Sequence, residues 1–258
     1  MVKRLTPSQI HEIKELAKAG TSIAKIAKSL EIGKPTVYYH ARQYCKKMTK
    51  FDPSLLNESE KGYIVGFFLG DGSFNRGKKT PRYIVRFALD AKRDRDIAKR
   101  LAKIFQENRK KVSIFPRENT LIVKVCSKEL VGFIQTYINY KTGFHCHKEK
   151  ILQLDRNCSR IFQYGVLAGI IDSDGHVLGH LGTEIKTVSS SVFEGIINVL
   201  NNLGIVAKMK QKRASGNSYS KKSFYVIYLP SLQMRKHKGK IPSVKVTRLP
   251  HANSKTKD

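Results

Sequence analysis

Residues 165–177 read GVLAGIIDSDGHV, an apolar helical segment that ends in two carboxylates, Asp172 and Asp174, followed by a glycine. The helix dipole disfavours negative charge at the C-terminal end of a helix, by about 0.3–1 kcal/mol for each exposed charge. The pattern therefore predicts a positive partner close to these carboxylates. Residues 62–74, GYIVGFFLGDGSF, repeat the arrangement with Asp71.

The two stretches indicate an internal duplication. Asp71 maps onto Asp174 with an offset of 103 residues (174 minus 71), and three glycines of the first stretch map onto glycines of the second with the same offset. A second pair of similar segments, HKEKIL at 147–152 and HKGKIP at 237–242, has an offset of 90 residues (237 minus 147). Two matches in the same order favour duplication over chance, with a shorter second half.

Residues 6–44 predict a compact unit of three helices. Thr6 is a plausible N-cap and Gly20 a plausible end for the first helix. The order of a helix, a short helix, a tight turn and a helix is typical of a helix-turn-helix. The segment SIAKIAKSLEIGKPTVYYH (22–40) resembles the helix-turn-helix of resolvase- and invertase-type DNA-binding domains. That geometry implies a core of Ile23, Ile26, Ala27, Leu30, Ile32 and Val37, and it directs toward a major groove Lys34, Thr36, Tyr39, His40 and Arg42. The alternative is a small helical bundle that binds no DNA.

The remaining chain predicts two similar halves. Each half has the order α-β-β-α-β-β, and a closing helix is visible only in the first half. The fold class is α+β, with two pseudo-symmetric αββαββ halves that form a DNA-binding saddle and a small all-α helix-turn-helix domain. The domain boundaries that we predict are 1–46 for the helix-turn-helix, 47–60 for a linker, 61–155 for the first half and 156–258 for the second half.

Small residues at positions i, i+4 and i+8 form a stripe on each of the two repeated helices. Such stripes allow two helix backbones to approach closely. A parallel crossing along them would place Asp71 beside Asp174, where two carboxylates about 5 Å apart repel by about 3 kcal/mol at an effective dielectric near 20. A divalent cation, Mg²⁺ or Mn²⁺, would remove that repulsion, with backbone carbonyls of Gly72 and Gly175 as further ligands. The alternative is a pair of ordinary buried helices that end in Asp-Gly turns.

The same residues carry a resemblance to a known family. LAGIIDSDG (167–175) is similar, almost letter for letter, to the LAGLIDADG motif, and IVGFFLGDG (64–72) is a looser copy. From about residue 60 to 245 the chain resembles single-chain, two-motif LAGLIDADG homing endonucleases. The resemblance implies that Asp71 and Asp174 are the metal ligands and catalytic acids. The sixth motif position holds Asp172 in one copy and Leu69 in the other, which implies that the halves are not equivalent.

The resemblance also implies a basic residue near each active site, late in each half. We predict Lys148 and Lys238, from the HKEKIL and HKGKIP segments, with Lys150 and Lys240 as close competitors. Their role would be to polarise the attacking water or to stabilise charge on the phosphate. The alternative for each is a solvated lysine without a catalytic role.

The charge balance predicts a polyanionic partner. The chain has 49 Lys and Arg residues against 20 Asp and Glu residues, a formal net charge of +29 that is spread over its whole length. A nucleic acid is the simplest such partner, although a generically basic protein such as a ribosomal one has the same composition. Outward positions on predicted strands are candidates for contacting DNA: Arg82, Arg86, Lys124, Lys208, Lys210 and Lys212.

Together these patterns predict a site-specific, Mg²⁺-dependent endonuclease of the intron-homing type, which hydrolyses phosphodiester bonds in both strands of a long target. We expect double-stranded DNA as its partner, no membrane association and a monomer with internal pseudo-two-fold symmetry. We expect an intracellular, soluble protein of the cytoplasm, the nucleoid or an organelle. Two alternatives stay open: a non-cleaving DNA-binding regulator with the same fold, and an RNA maturase that assists intron folding.

Overall fold

The structure is a computed structural model that describes residues 5–44, 50–75, 83–108, 110–141, 149–155, 157–213 and 223–248. The chain divides into two compact units, Met1–Thr49 and Lys50–Asp258. Each unit has its own hydrophobic core.

The N-terminal unit contains three helices, α1 (Pro7–Lys18), α2 (Ile23–Ser29) and α3 (Lys34–Ala41). Thr6 and Gln9 form a capping box at the start of α1. Gly20 adopts a positive φ of 83° after the helix, a conformation that favours glycine. The predicted core is confirmed, because Ile26, Ala27 and Val37 are buried and Ile23, Leu30 and Ile32 pack against them.

The first half of the second unit follows a 3₁₀ turn at Pro53–Leu55. Its elements are α4 (Glu58–Asp71), β1 (Gly72–Asn75), β2 (Ile84–Asp90), α5 (Arg95–Glu107), β3 (Val112–Arg117), β4 (Thr120–Cys126) and α6 (Lys128–Tyr137). A two-stranded hairpin then joins β5 (Ile138–Lys141) to β6 (Glu149–Leu152). Asn57 and Glu60 form a capping box that fixes the start of α4.

The second half repeats this order. Its elements are α7 (Arg160–Asp174), β7 (Gly175–Val177), β8 (Thr183–Thr187), α8 (Ser190–Leu203), β9 (Lys208–Lys212), β10 (Phe224–Leu229), α9 (Ser231–His237) and α10 (Val244–Thr247). The closing helix that sequence analysis found only in the first half is therefore present in both, as α6 and α9.

The sheets of the two halves have the same topology. The first sheet has the antiparallel strand order β1-β2-β4-β3 and the second has the order β7-β8-β10-β9. Along β2, Val85, Phe87 and Leu89 are buried and alternate with less buried residues, which agrees with the outward position predicted for Arg86. Two antiparallel four-stranded sheets in αββαββ halves confirm the predicted fold class.

The HKEKIL and HKGKIP segments do not occupy equivalent places. Glu149–Leu152 of the first segment form β6, which pairs with β5. The second segment begins at the end of α9 and continues as a turn, and no counterpart of the β5–β6 hairpin occurs in the described residues of the second half. The two segments, 90 residues apart, are therefore similar in sequence but different in structure.

The core of the second unit is continuous across both halves, with α4 and α7 at its centre. Among the described helices, none is long and apolar enough to cross a membrane.

Candidate active site at the junction of two helices

The central helices α4 and α7 pack along their glycine stripes. A methyl group at Gly66 would overlap the carbonyl oxygen of Val166, and one at Gly62 would overlap that of Phe162. A methyl group at Gly169 would overlap the carbonyl oxygen of Tyr63 in turn. Because backbone meets backbone on both sides, side chains larger than glycine are excluded from these positions. The close approach predicted from the sequence is confirmed.

The two helices run in parallel, so their C-terminal ends meet. Gly62 faces Phe162, and two turns later Gly70 faces Ser173 and Asp174. A Cβ at Gly70 would lie 2.8 Å from Oδ2 of Asp174. Asp71, the next residue, is close enough for the charge of Asp174 to act on it. The crossing thus brings together the two acids that the sequence singled out.

Both acids ionise less readily than an ordinary aspartate. Burial, and then the neighbouring Asp174 carboxylate, raise the pKa of Asp71 to about 7. Burial also raises the pKa of Asp174, while Lys150 and Lys245 oppose that increase. Asp71 is half-buried whereas the side chain of Asp174 retains more accessible surface, so we regard the desolvation of Asp71 as the stronger effect.

Gly72 and Gly175 form the junctions between the central helices and the strands that follow. Both residues end their helices in extended conformations, with φ of −79° and −82°, and lead directly into β1 and β7. A methyl group at Gly72 would collide with Phe68, and one at Gly175 with Ile171. These glycines therefore permit a tight change from helix to strand.

Lys150 provides a positive charge at the end of α4. Its Nζ donates hydrogen bonds to the carbonyl oxygens of Phe68 (2.8 Å), Leu69 (2.9 Å) and Gly70 (2.5 Å). These carbonyls belong to the last turn of α4, where that of Phe68 also accepts from the backbone N–H of Gly72 and those of Leu69 and Gly70 lie at the helix end, which lacks intrahelical donors. Lys148 was the residue predicted from the sequence, with Lys150 as its competitor. Lys148 lies outside the described residues.

Lys245 provides the corresponding charge at the end of α7. Its Nζ donates to the carbonyl oxygens of Ser173 (3.1 Å) and Gly175 (3.0 Å). Lys238, the predicted residue, instead ends α9, and its competitor Lys240 is exposed in the turn that follows. The lysine that lies at the end of α7 is thus Lys245, which is carried by the short helix α10 and not by the HKGKIP segment.

The two lysines compensate the negative charge of the acids at the C-terminal ends of α4 and α7. Each ammonium group interacts favourably with the negative end of a helix dipole. Both ammonium groups also lower the pKa of Asp71, against the effect of burial. The positive partner predicted from the sequence is therefore present within the chain itself. The lysines hydrogen-bond carbonyl oxygens and leave the carboxylate oxygens for another ligand.

The donor set of this centre suits a hard divalent cation. No donor from the described residues hydrogen-bonds the carboxylate of Asp71 or Asp174, and two close carboxylates favour Mg²⁺ or Mn²⁺. Within the described ranges, no group of three or more His, Cys, Asp or Glu side chains could hold a metal. Further ligands would have to be backbone oxygens, water or phosphate. The carbonyl oxygen of Gly175 already accepts a hydrogen bond from Lys245.

Asp172, the other acid of the opening stretch, is not part of this centre. Its side chain is 1% exposed and accepts hydrogen bonds from Tyr63 and from the start of α10. Sequence analysis missed this role. The signal available was the difference between Asp172 and Leu69 at equivalent motif positions.

Beside the centre, residues of both halves line a groove: Asp90, Arg93, Asp94, Gly175, His176, Val177, Lys245 and Arg248. Asp90 accepts hydrogen bonds from the backbone N–H groups of Lys92 and Arg93, at 2.8 Å each. The groove thus lies between β7 and α10 of the second half and the loop that follows β2 of the first half.

The outer faces of both sheets carry basic side chains. Arg86 lies opposite Lys124 in the β2–β4 register, on the face that points away from Val85 and Phe87. In the second sheet every residue of β9 is exposed, and alternate positions bring to one face Lys208, Lys210 and Lys212. Arg82 lies outside the described residues.

The third helix of the N-terminal unit presents the predicted contact residues. Lys34, Thr36 and Arg42 are exposed, and Tyr39 is 63% exposed, while His40 is half-buried. The Arg42 guanidinium lies 5.2 Å from the ring centre of Tyr39. Tyr38, which sequence analysis did not select, is 57% exposed.

Three family models match separate parts of the chain. Residues 3–40 match a helix-turn-helix domain of resolvase, residues 60–153 match a WhiA LAGLIDADG-like domain, and residues 163–241 match a homing endonuclease model. The matches fall on the N-terminal unit, the first half and the second half in turn. No curated protein matches the chain.

Solved structures share the fold of the chain. I-DmoI in complex with DNA and Ca is 17% identical, with a TM-score of 0.52, covering 73% of this chain and 92% of that one. An I-DmoI variant with its target DNA in the presence of Mg is 15% identical, with a TM-score of 0.52, covering 74% and 98%. I-WcaI bound to its DNA recognition sequence is 15% identical, with a TM-score of 0.50, covering 78% and 86%. At these identities the likeness concerns the fold.

Proposed function

We propose that this chain, which joins two LAGLIDADG halves to a resolvase-type helix-turn-helix unit, is a site-specific endonuclease that cuts both strands of a DNA duplex. In this proposal residues 1–46 bind DNA outside the cleavage site, and 61–155 and 156–258 each act on one strand; the predicted linker 47–60 is shorter than expected, because Phe51 and Leu56 are buried in the core of the second unit. The proposed cofactor is a divalent cation, Mg²⁺ or Mn²⁺.

One observation carries the proposal: two acids meet at the ends of two parallel helices, and each helix end also holds a buried or half-buried lysine. A purely structural crossing does not need this arrangement, since two close carboxylates destabilise it. Asp71 with Lys150 and Asp174 with Lys245 form two similar sets. Two sets related by an internal repeat suit a reaction that occurs once on each strand of a duplex.

The side chains have distinct roles in such a reaction. Asp71 and Asp174 would hold the cation, which supplies Lewis acidity and neutralises charge on the scissile phosphate. Lys150 and Lys245 are fixed by hydrogen bonds to helix carbonyls, so their ammonium groups are oriented before DNA arrives. They stabilise the negative charge that develops on the phosphate oxygens as the phosphodiester bond breaks.

The proposed DNA-binding surface consists of the outer faces of the two sheets. Arg86 and the predicted Arg82 suit guanine, because arginine can bind that base through two hydrogen bonds. The lysines of β9 and Lys124 suit phosphates, which fix the register of the duplex. The solved structures of similar fold are described as bound to DNA, with Ca or Mg in two cases, and this supports DNA and a divalent cation as partners here. We propose a monomer with internal pseudo-two-fold symmetry.

The test begins by finding the target, because the chain does not reveal it. A library of supercoiled plasmids that carry random or genomic inserts is incubated with the protein and Mg²⁺ or with EDTA, and linearised plasmids are sequenced. We expect linear product at one long sequence with Mg²⁺ and none with EDTA. A protein that binds one duplex sequence tightly but leaves it intact with Mg²⁺ or Mn²⁺ is a regulator, and preferential binding of structured RNA would favour a maturase.

A further inference from the structure

We propose that Asp172 is a positioning residue that holds Lys245 at the end of α7, and that it therefore controls cleavage of only one DNA strand. The inference rests on the proposed function and adds to it an unequal construction of the two active sites. In this view the acid at the sixth motif position of the second half acts through a lysine 73 positions later (245 minus 172).

Asp172 is the hydrogen-bond acceptor that fixes the start of α10. Its carboxylate accepts from the backbone N–H groups of Val244 (2.9 Å) and Lys245 (3.0 Å) and from the hydroxyl of Ser243 (2.6 Å). A fourth hydrogen bond of 2.9 Å comes from the hydroxyl of Tyr63 on α4. A helix of four residues is not stable by itself, so the position of α10 depends on such contacts.

Lys245 is held at its backbone and at its ammonium group by residues at the end of α7 and the start of β7. The backbone N–H of Lys245 donates to Asp172, and its Nζ donates to the carbonyl oxygens of Ser173 and Gly175. A shift of α10 would therefore move the ammonium group relative to Asp174. Asp172 does not touch the reacting centre, and any effect it has on cleavage must pass through Lys245.

The first half adds a clamp on the same segment. Arg100 of α5 lies 4.1 Å from the ring centre of Tyr63 and donates a hydrogen bond to the carbonyl oxygen of Pro242. At the other end of α10, Arg248 pairs with Asp94 and Asp96. Residues 242–248 thus belong to the second half in sequence but are held by side chains of both halves.

Within the part of the chain that the structure describes, no equivalent carboxylate fixes the segment that carries the lysine of the first half. The position that corresponds to Asp172 is Leu69, which is 2% exposed and packs in the core. Lys150 lies on β6, and its backbone is fixed by antiparallel pairing with Tyr140 of β5. Loss of Asp172 should therefore disturb Lys245 and leave Lys150 in place.

The test is a double-mutant cycle on a target duplex labelled separately on each strand, cut under single-turnover conditions with Mg²⁺. We expect Asp172→Asn to slow one strand by about 10- to 100-fold, the range for loss of a group that orients an active-site residue. Lys245→Met should slow the same strand, and the double variant should be no slower than Lys245→Met alone. Lys150→Met should slow the other strand, and in the double variant with Asp172→Asn each strand should be slowed only as much as in the corresponding single variant.

Asp155→Asn is the matched control, since this exposed aspartate caps a loop away from the site, and both strands should be cut at the wild-type rate. Equal slowing of both strands by Asp172→Asn, or multiplicative effects with Lys245→Met, would overturn the proposal. If Asp172→Asn does not fold, Tyr63→Phe replaces it in the cycle, because it removes one donor to Asp172 and keeps the aromatic ring. The same strand should then be slowed, to a smaller degree.

Hydrogen exchange separates this inference from the proposed function. In the protein without DNA, the amides of Val244 and Lys245 should exchange faster in Asp172→Asn than in the wild type, while β2 amides are unchanged. Unchanged exchange at Val244 and Lys245 would contradict the positioning role. If the wild type cuts no DNA, the proposed function fails, but the exchange result still tests whether Asp172 holds α10.

Discussion

Gly66 on α4 and Val166 on α7 meet backbone to backbone, so that no atom fits between the Gly66 Cα and the Val166 carbonyl oxygen. This contact fixes how closely the helices approach and therefore where Asp71 and Asp174 meet. Neither helix can move away locally, because Gly62 and Gly169 make similar contacts on either side.

We expect Gly66→Ala to lower the free energy of unfolding by about 1–3 kcal/mol, the cost of overpacking a well-packed core. The loss should appear despite the higher helix propensity of alanine, which is worth about 1 kcal/mol. Urea denaturation of the wild type and of Gly66→Ala measures the difference in their free energies of unfolding. Gly132→Ala on α6 is the matched control: nothing lies within 4 Å of its position, so stability should be unchanged or slightly increased. Equal effects at the two sites would contradict the close contact.

The features predicted best from the sequence are those with a regular period. The glycine stripe of α4, the alternation of Val85 and Phe87 on β2 and the core of the N-terminal unit all repeat at the spacing of the element that carries them. The meeting of Asp71 with Asp174 followed from the stripes, because each acid follows its stripe at the same distance and the helices are parallel.

Lys245 shows where such reasoning stops. It lies on a helix of four residues, too short for a period, and its place is set by hydrogen bonds to Asp172, which is far away in sequence. The similarity of the HKEKIL and HKGKIP segments predicted Lys238 instead. These segments are similar in sequence but form different structural elements. A contact made only in the folded chain leaves no local pattern in the sequence.

The contribution of Asp71 to the stability of the protein without divalent cations should fall as the pH rises from about 4 to about 7. The pKa of Asp71 is about 7 in the folded chain against an ordinary value of 3.8, so the protonated carboxyl favours the folded state. This stabilisation is complete below the ordinary pKa and is lost as the pH passes through the raised one. Urea denaturation in EDTA at a series of pH values measures it.

Asp71→Asn is the reference for that measurement, because burial lowers the pKa of His237 and gives the opposite slope in the same pH range. The difference between wild type and Asp71→Asn isolates the aspartate. Added Mg²⁺ should restore stability near pH 8, since a cation that binds only the folded state stabilises it. The same pH dependence in both proteins would show that Asp71 is not its source.

DNA binding should depend steeply on salt. If phosphate contacts dominate, the logarithm of the affinity falls linearly with the logarithm of the salt concentration, by about 0.9 for each phosphate neutralised, and we expect a slope on the order of −6 or steeper. Lys210→Gln should reduce the slope by about 0.9. Lys103→Gln, at a lysine of α5 whose side chain is 76% exposed, is the control and should leave the slope unchanged. A wild-type slope shallower than about −2 would place most of the charge away from DNA.

Removal of residues 1–49 should weaken DNA binding and shorten the footprint, while cleavage persists at high protein concentration. These residues form a compact unit with its own core, so the remaining chain keeps both acids and both lysines. Nuclease protection of the target duplex measures the footprint. A footprint of unchanged length would contradict a DNA-binding role for α3 and its exposed Tyr39 and Arg42.

The final prediction concerns the two acids themselves. Asp71→Asn and Asp174→Asn each keep the size of the side chain but remove the charge that holds a cation. We expect cleavage of one strand to fall at least about 100-fold in each variant, as for loss of an electrostatic catalytic group. The assay is a supercoiled plasmid that carries the target, in which nicked and linear products are separated on a gel.

Folding and DNA binding should survive both changes, since neither acid lies on the outer face of a sheet. Stability should be unchanged or increased, because the two helix ends no longer repel each other. Nicked circles from each single variant, and intact plasmid from the double variant, would assign one acid to each strand. If both single variants give linear product at the wild-type rate while EDTA still abolishes cleavage, the protein is a metal-dependent nuclease whose catalytic acids lie elsewhere.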